Sequence, residues 1–406
     1  MTKIDDLMKM LCPDGVAFVK MEDLGDFYGG LTGKSKDDFV DGNANFITYV
    51  NVFNNPSLNL SVSEKVRILE GEKQRKIEFG DVIFTGSSET PDECAFSSVV
   101  TEVPAEDYYL NSFCFIWRLK DKSIFNPHFL KHLFRSSELR KKLIKTASGV
   151  TRFNVSKEKM RKIEIPIPPL NIQNEIVYVL DNFTELTAEL TAELTARKIQ
   201  NDYYRNLLLN FESTCTEWVT LNEVMTFKNG VGHEKSVNES GDFIIVNSKF
   251  ISTNGQIAKH TSEQLCPLFV DDILMVMSDL PNGKALAKCF LVEKDNLYSL
   301  NQRICALHVK TPNYRTKFLF YWLNRNKQLL RYDNGVDQTN LRKDQILNVK
   351  IPVIELEQQD HIINILSKFD LYCNDLSEGL PAEIKARNKQ YCYYRDSLLA
   401  FKRKEV

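Results

Sequence analysis

The sequence predicts an α+β chain built as an internal repeat: two similar mixed α/β domains separated by two long antiparallel helices that pair as a coiled coil, with the halves related by a pseudo-twofold axis. Three observations carry this. The stretch Asn171 to Phe211, read with Leu170, contains no Gly or Pro, is rich in Leu, Ala, Glu and Arg, and spaces Ile176, Leu180, Phe183, Leu186, Leu190 and Leu194 three or four apart. That is the spacing of one helical face, and such a helix would span roughly 60 Å. The tail repeats the stretch: Ile165-Pro166 recurs as Ile351-Pro352, a shift of 186, and Tyr203-Tyr204-Arg205 as Tyr393-Tyr394-Arg395, a shift of 190. The second copy is therefore longer by about one helical turn. Finally, the register continues backwards through the chain, pairing Gly149, Val150 and Asn154 with Gly335, Val336 and Asn340, Phe129 with Phe318, Leu110 with Leu300, Asp81 with Asp272 and Val19 with Val219. A shift that drifts by a few residues without losing order is what loop insertions do to two copies of one fold.

The predicted segments are a first domain over 1–164, a central spacer helix over 165–212, a second domain over 213–350 and a C-terminal spacer helix over 351–406. Within the first half, Met1 to about Leu11 reads as a short helix or frayed end and Val19 to Phe27 as strand or short helix. The loop Gly29 to Asp38 follows. Phe46 to Val52, Val66 to Leu69, Phe79 to Thr85 and Tyr109 to Leu119 are rich in β-branched and aromatic residues and read as strands. Pro127 to Lys145 changes to helical spacing, and Ser156 caps a short helix after a turn. The second half repeats this pattern, with a helix from Tyr314 to Leu330. Gly379 and Pro381 stand where the first spacer has Glu189 and Thr191. Proline inside a helix removes a hydrogen bond and clashes with the preceding turn, so a kink or break is expected near Ser377 to Pro381.

Length and composition set bounds. A chain of 406 residues is long enough for two or three domains with substantial cores. Nine cysteines with no CxxC pair read as reduced thiols of a cytoplasmic protein. No apolar run approaches eighteen residues and no signal peptide opens the chain, which argues against membrane or secretory roles. A net charge of −2 excludes a uniformly basic protein but not one with a basic face.

Several motifs invite enzymatic readings and fail on spacing. Gly29 to Ser35, GGLTGKS, resembles a phosphate-cradling loop, but Gly29 lies one residue too close to Gly33. His128 and His132 share a helical face, yet no Glu follows His128 and no third ligand is spaced to complete a zinc site, so they read as surface or packing histidines. Asn54-Asn55-Pro56 has the wrong order for an adenine-methylation signature. No catalytic residue and no metal site is expected. What remains is geometry: two unlike domains held apart by a helical strut can read two unlike half-sites on a long ligand such as duplex DNA, with an unread gap between them.

The run IPIPPL…Q…I…LD.F…L.AEL.ARK.Q..YYR..LL.F between two diverged domains, with a second copy at the end, resembles the specificity subunits of type I restriction-modification systems. The tetrapeptides Thr187 to Leu190 and Thr191 to Leu194 are similar to the spacer repeats of that family, whose number sets the gap. The resemblance implies target-recognition domains on double-stranded DNA, two docked methyltransferase subunits and a restriction subunit. S-adenosylmethionine, ATP and Mg would serve those partners, with no cofactor in this chain. Candidate DNA-contacting residues, chosen as polar and basic groups in loops after strands, are Lys34, Ser35, Lys36, Thr85, Ser87, Ser88, Thr151 and Arg152 in the first half. Their counterparts are His233, Lys235, Asn247, Lys249, Ser278, Asn282, Lys284 and Gln338. Leu186, Leu190, Leu194, Tyr203 and Tyr204 are assigned to helix–helix packing. Two other classes stay open: a coiled-coil adaptor joining two protein-binding domains, and a nucleotide-dependent enzyme using Gly29 to Ser35.

Overall fold

A computed structural model describes residues 2–211, 217–233, 236–281, 283–375 and 378–405. The chain divides into two compact units, Met1–Ala192 with Ala382–Val406, and Glu193–Pro381. Each unit thus contains one sheet-bearing domain, the start of one long helical region and the end of the other. The two helical regions therefore run in opposite senses, one leaving the first unit and the other returning to it.

The two units share one topology. In the first, an antiparallel sheet runs in the order Gly25–Gly29, Cys114–Leu119, Val82–Thr85, Ser97–Val99. A second sheet runs Lys65–Val66, Ala44–Ile47, Tyr108–Leu110, with the last two parallel. In the second unit the corresponding orders are Met225–Asn229, Ile304–Val309, Ile273–Val276, Cys289–Leu291 and Lys259–Thr261, Phe243–Val246, Tyr298–Leu300, again with the last pair parallel. A short ribbon ties the start of each domain to the segment before its helix, Ala17–Lys20 to Glu164–Ile167 and Trp218–Thr220 to Lys350–Pro352.

Each main sheet is covered by helices. In the first unit Phe134 packs edge-on against Phe84 and Trp117, with ring centroids 5.2 and 5.7 Å apart. Phe129, Leu130, Leu139 and Leu143 join the same buried cluster, as do Ile172, Ile176 and Leu180 from the long helix. The single helix expected over Pro127 to Lys145 is two, Pro127–Leu133 and Ser137–Ile144. At the break Ser136 Oγ donates to the Leu133 carbonyl at 2.7 Å, an alternative to the helical bond. Likewise Tyr314 to Leu330 forms Thr316–Leu323 and Lys327–Leu330, the second capped by Asn326. Two strand expectations need similar correction. Thr48 Oγ1 accepts from Asn51 N at 3.2 Å and starts the helix Tyr49–Asn54 inside the stretch read as β. Asn111 Oδ1 accepts from Phe113 N at 2.7 Å and turns the chain between Tyr108–Leu110 and Cys114–Leu119.

The central helix Leu170–Leu208 is unbroken. Its C-terminal counterpart is interrupted in the expected region, forming Leu356–Asn374 and Leu380–Leu398; Ser377 lies outside the described residues. Pro381 occupies the second position of the restarted helix, where a missing N–H leaves no helical bond unmade. A Cβ on Gly379 would meet the Leu371 carbonyl oxygen at 2.4 Å, so the turn needs glycine.

Both helical regions are held in the same way in both units. Phe183 stacks on Tyr394 at 5.1 Å in the first, and Phe369, its counterpart, stacks on Tyr204 at 5.6 Å in the second. Of the residues assigned to helix packing, Leu190, Leu194 and Tyr204 are half-buried, while Leu186 and Tyr203 are exposed. The correction follows from the helix itself: its fully buried positions end at Leu180, and beyond that it presents only a narrow stripe to its neighbour.

Candidate nucleic-acid interface

Corresponding small strand pairs, separate from the main sheets and following directly on their third strands, bring together residues far apart in sequence. In the first unit Ser87–Ser88 pairs with Phe153–Asn154. In the second, Ser278–Asp279 pairs with Thr339–Asn340. The backbone around them is conserved between the units. Gly86 N donates to the Phe113 carbonyl at 2.7 Å and Met277 N to the Arg303 carbonyl at 2.9 Å; Val155 N donates to the Gly86 carbonyl at 2.9 Å and Leu341 N to the Met277 carbonyl at 2.7 Å.

On this frame Arg152 donates through Nε and Nη2 to Ser87 Oγ at 3.2 and 3.1 Å, and Gln338 donates through Nε2 to Ser278 Oγ at 2.7 Å. Both serines are buried, while Arg152 and Gln338 are exposed. The serines cannot reach a ligand and act by aiming the longer side chains. The loops are shaped by Gly149 at φ +157 and Gly335 at φ +69, backbone that an L residue adopts only with strain. A Cβ at Gly149 would lie 2.0 Å from the Arg152 carbonyl oxygen.

The other candidates divide by environment. Thr85 and His233 are corrected. Thr85 is fully buried and its Oγ1 accepts from Phe96 N at 3.0 Å. His233 is buried, with Nδ1 2.9 Å from the Val231 carbonyl and Nε2 2.7 Å from Ser299 Oγ. Both side chains spend their hydrogen bonds within the fold. Lys34 is also internally committed: its Nζ sits 2.6 Å from Glu72 Oε2 and its side chain is largely covered. That bond, with those from Leu69 N and Gln74, holds the Glu72 carboxyl down at about 2. The GGLTGKS loop is therefore closed on its own chain, with Ser35 N and Oγ on Asp38 Oδ2 at 2.8 and 2.9 Å. Ser88 Oγ donates to Glu93, and Asn247 Oδ1 accepts from Phe250 N to cap Ser248–Ser252. Lys36, Thr151, Lys249 and Lys284 are exposed. Lys235 and Asn282 lie outside the described residues. Phe113, which packs on the Arg152 guanidinium, and Val150 and Val336, each two residues before Arg152 or Gln338, are functional positions that sequence reasoning missed. A choice based on polar type passes over apolar residues, although the repeat register already paired Val150 with Val336.

His132 shows what a buried histidine does here. Its Nε2 is 2.7 Å from Asp181 Oδ1 and its Nδ1 2.9 Å from Tyr391 Oη, joining the domain to both helical regions within the first unit. Burial pushes the imidazole pKa down against the pull of Asp181, and the neutral ring satisfies both neighbours at once. Burial opposes charge on Asp181 too, but hydrogen bonds from His128, His132 and Lys131 outweigh it and hold that carboxyl well below its usual range. The counterpart of His132 is Tyr321, which donates to Asp370 Oδ2 at 2.7 Å. Among the described residues no group of three or more His, Cys, Asp or Glu could hold a metal ion. No helix among them is long and apolar enough to cross a membrane.

A duplicated fold with matching loops on each copy defines a chain of two similar domains, each joined to both long helical regions. The family profile described as "Type I restriction modification DNA specificity domain" matches residues 13–197 and 216–386, so the chain belongs to that family. Its members supply DNA sequence recognition to a larger assembly and are themselves non-catalytic. Relatives include the type I restriction enzyme EcoR124I/EcoR124II specificity subunit of Escherichia coli, 34% identical over 274 residues, covering 62% of this chain and 66% of that subunit. A putative type I restriction enzyme specificity subunit of Haemophilus influenzae is 28% identical over 294 residues, 69% of this chain and 74% of that protein. Among solved structures, the S subunit of a type I system from M. genitalium aligns over 95% of this chain and 96% of its own, with TM-score 0.52 and 16% identity. A chain from a study of complex assembly and conformational transition of the type I system aligns over the same shares with TM-score 0.56 and 16% identity. These two likenesses support the fold.

Proposed function

We propose that this chain is the DNA specificity subunit of a type I restriction-modification enzyme, reading a bipartite, asymmetric site on double-stranded DNA. The observation that carries the reading is the pair of corresponding loops ending in Arg152 and Gln338. The same two backbone hydrogen bonds and the same buried serine support the loop in both units, while the exposed side chain differs. One frame with two different side chains is suited to two half-sites of similar placement and different sequence. The gap between the half-sites is set by the helical regions, and two methyltransferase subunits dock along them, with a restriction subunit added for cleavage. S-adenosylmethionine, ATP and Mg serve those partners, and the assembly works in the cytoplasm.

The test is to co-express the chain with a candidate methyltransferase subunit from the same genome and map methylated adenines across host DNA. A motif of two unlike half-sites with a fixed gap is the expected result. A stable complex that leaves no motif would instead favour an adaptor joining protein-binding domains.

A further inference from the structure

We infer that Arg152 and Gln338 are corresponding base-reading residues of the two half-sites, Arg152 taking a guanine and Gln338 an adenine, each beside an exposed valine. The inference rests on the specificity-subunit reading and goes beyond it by naming one reader and one base in each half.

Four observations converge. The two residues occupy one position of the repeat, 186 residues apart like the glycines and asparagines that flank them. Each is exposed but not loose, because a buried serine on the neighbouring strand accepts from it and sets its direction. Arg152 is further held with its guanidinium 4.9 Å from the centre of the Phe113 ring, which is itself 53% exposed. At the position of Phe113 the second unit carries Arg303, also exposed and at φ +69. The two units thus present different chemistry from one frame.

The valines point to a ligand independently. Val150 is 92% exposed and Val336 75% exposed, each two residues before its reader at a loop tip. An isolated exposed valine is ordinary. The same exposed valine at both copies of one loop, beside an oriented polar side chain, has a use on DNA that it lacks in water, since the thymine methyl group offers an apolar contact in the major groove. Base-edge chemistry then assigns the readers. A guanidinium donates twice to guanine O6 and N7, whereas a carboxamide donates to adenine N7 and accepts from N6. Neither residue can exchange roles without losing a hydrogen bond or leaving a donor facing a donor.

The experiment uses the full chain in complex with its methyltransferase subunit, carrying Arg152→Gln or Gln338→Arg, with methylated adenines mapped genome-wide. Arg152→Gln is expected to change a single position of one half-site from guanine to adenine. Gln338→Arg should change a single position of the other half-site from adenine to guanine. Relative methylation of old and new motifs should shift roughly tenfold to a hundredfold. Arg152→Ala, which keeps the loop glycine and Ser87, should leave that one position degenerate. If all three variants methylate the unchanged motif, merely more slowly, these residues hold phosphates and the assignment is overturned. If the wild-type complex itself marks no two-part motif, the specificity-subunit reading falls and takes this assignment with it.

Discussion

Gln359 makes the same set of contacts in the second unit that Gln173 makes in the first. Gln173 Oε1 accepts from Asn126 N at 2.8 Å, while its Nε2 donates to the carbonyls of Ile124 and Pro168 at 2.9 and 2.8 Å. Gln359 Oε1 accepts from Arg315 N at 2.8 Å, and its Nε2 donates to the carbonyls of Asn313 and Ile354 at 2.9 and 3.0 Å. Both side chains are fully buried. Each fastens the root of a long helical region to the loop before the covering helix and to the strand end that precedes it, so the orientation of each strut is set where it leaves its domain. Gln173→Ala or Gln359→Ala should lower the stability of its own unit by about 2–3 kcal/mol, since three buried backbone groups lose their partner. Amide hydrogen exchange in the affected unit would measure it, and equal loss in both units from one substitution would contradict the local role.

Deleting Thr187 to Leu190 removes four residues from the unbroken central helix. The strut should shorten by about 6 Å and turn by about 40°. Methylation mapping should then show a gap shorter by one or two base pairs with both half-sites unchanged. Altered half-sites would mean that the helix does more than set distance.

Acidification should loosen the first unit before the second. Burial keeps His132 from protonating at its ordinary value of 6.5. The unfolded state therefore takes up a proton that the folded state refuses, and the stability held above that pH is lost as pH falls through and below it. The Asp181 carboxyl, held low, adds its own loss only below its ordinary value of 3.8. Hydrogen exchange of residues 127–144, corrected for intrinsic rate, should show less protection at about pH 5.5 than at pH 7.5. In His132→Gln that pH difference should largely vanish; a full difference there would place its origin elsewhere.

Gly379→Val should destabilise the turn between the C-terminal helices, because the added side chain meets three carbonyl oxygens within 3.0 Å. A cost of about 1–3 kcal/mol is expected, seen as a lower midpoint of chemical unfolding. Pro381→Ala should cost little, since proline at the second helical position replaces no hydrogen bond.

The repeat was legible because buried and bond-making residues keep their identity. Gln173 with Gln359, Phe183 with Phe369 and Tyr204 with Tyr394 recur at nearly constant shift. The helix break near Pro381 was legible for the same kind of reason, since proline and glycine carry their conformational limits locally. Element boundaries at Thr48, Asn111 and Ser136 were not, because each depends on one short side chain capturing a backbone group inside a β-rich or helix-rich stretch. Among the candidates, position in a loop could not separate Thr85 and His233, which turn inward, from Arg152 and Gln338, which turn out. Burial of a polar residue is decided by partners that sequence spacing does not reveal.

The discontinuous make-up of the first unit also orders events during translation. The second unit is one uninterrupted stretch, Glu193–Pro381, and can close as soon as that stretch has emerged from the ribosome. The first unit waits for Ala382 onward to supply Tyr391, Tyr394 and Phe401, which pack on its core. The half made first is completed last. A message cut short after Pro381 would release a chain with its second unit complete and its first unit unsealed, a product that quality-control proteases could tell from the full-length protein by its uncovered hydrophobic surface.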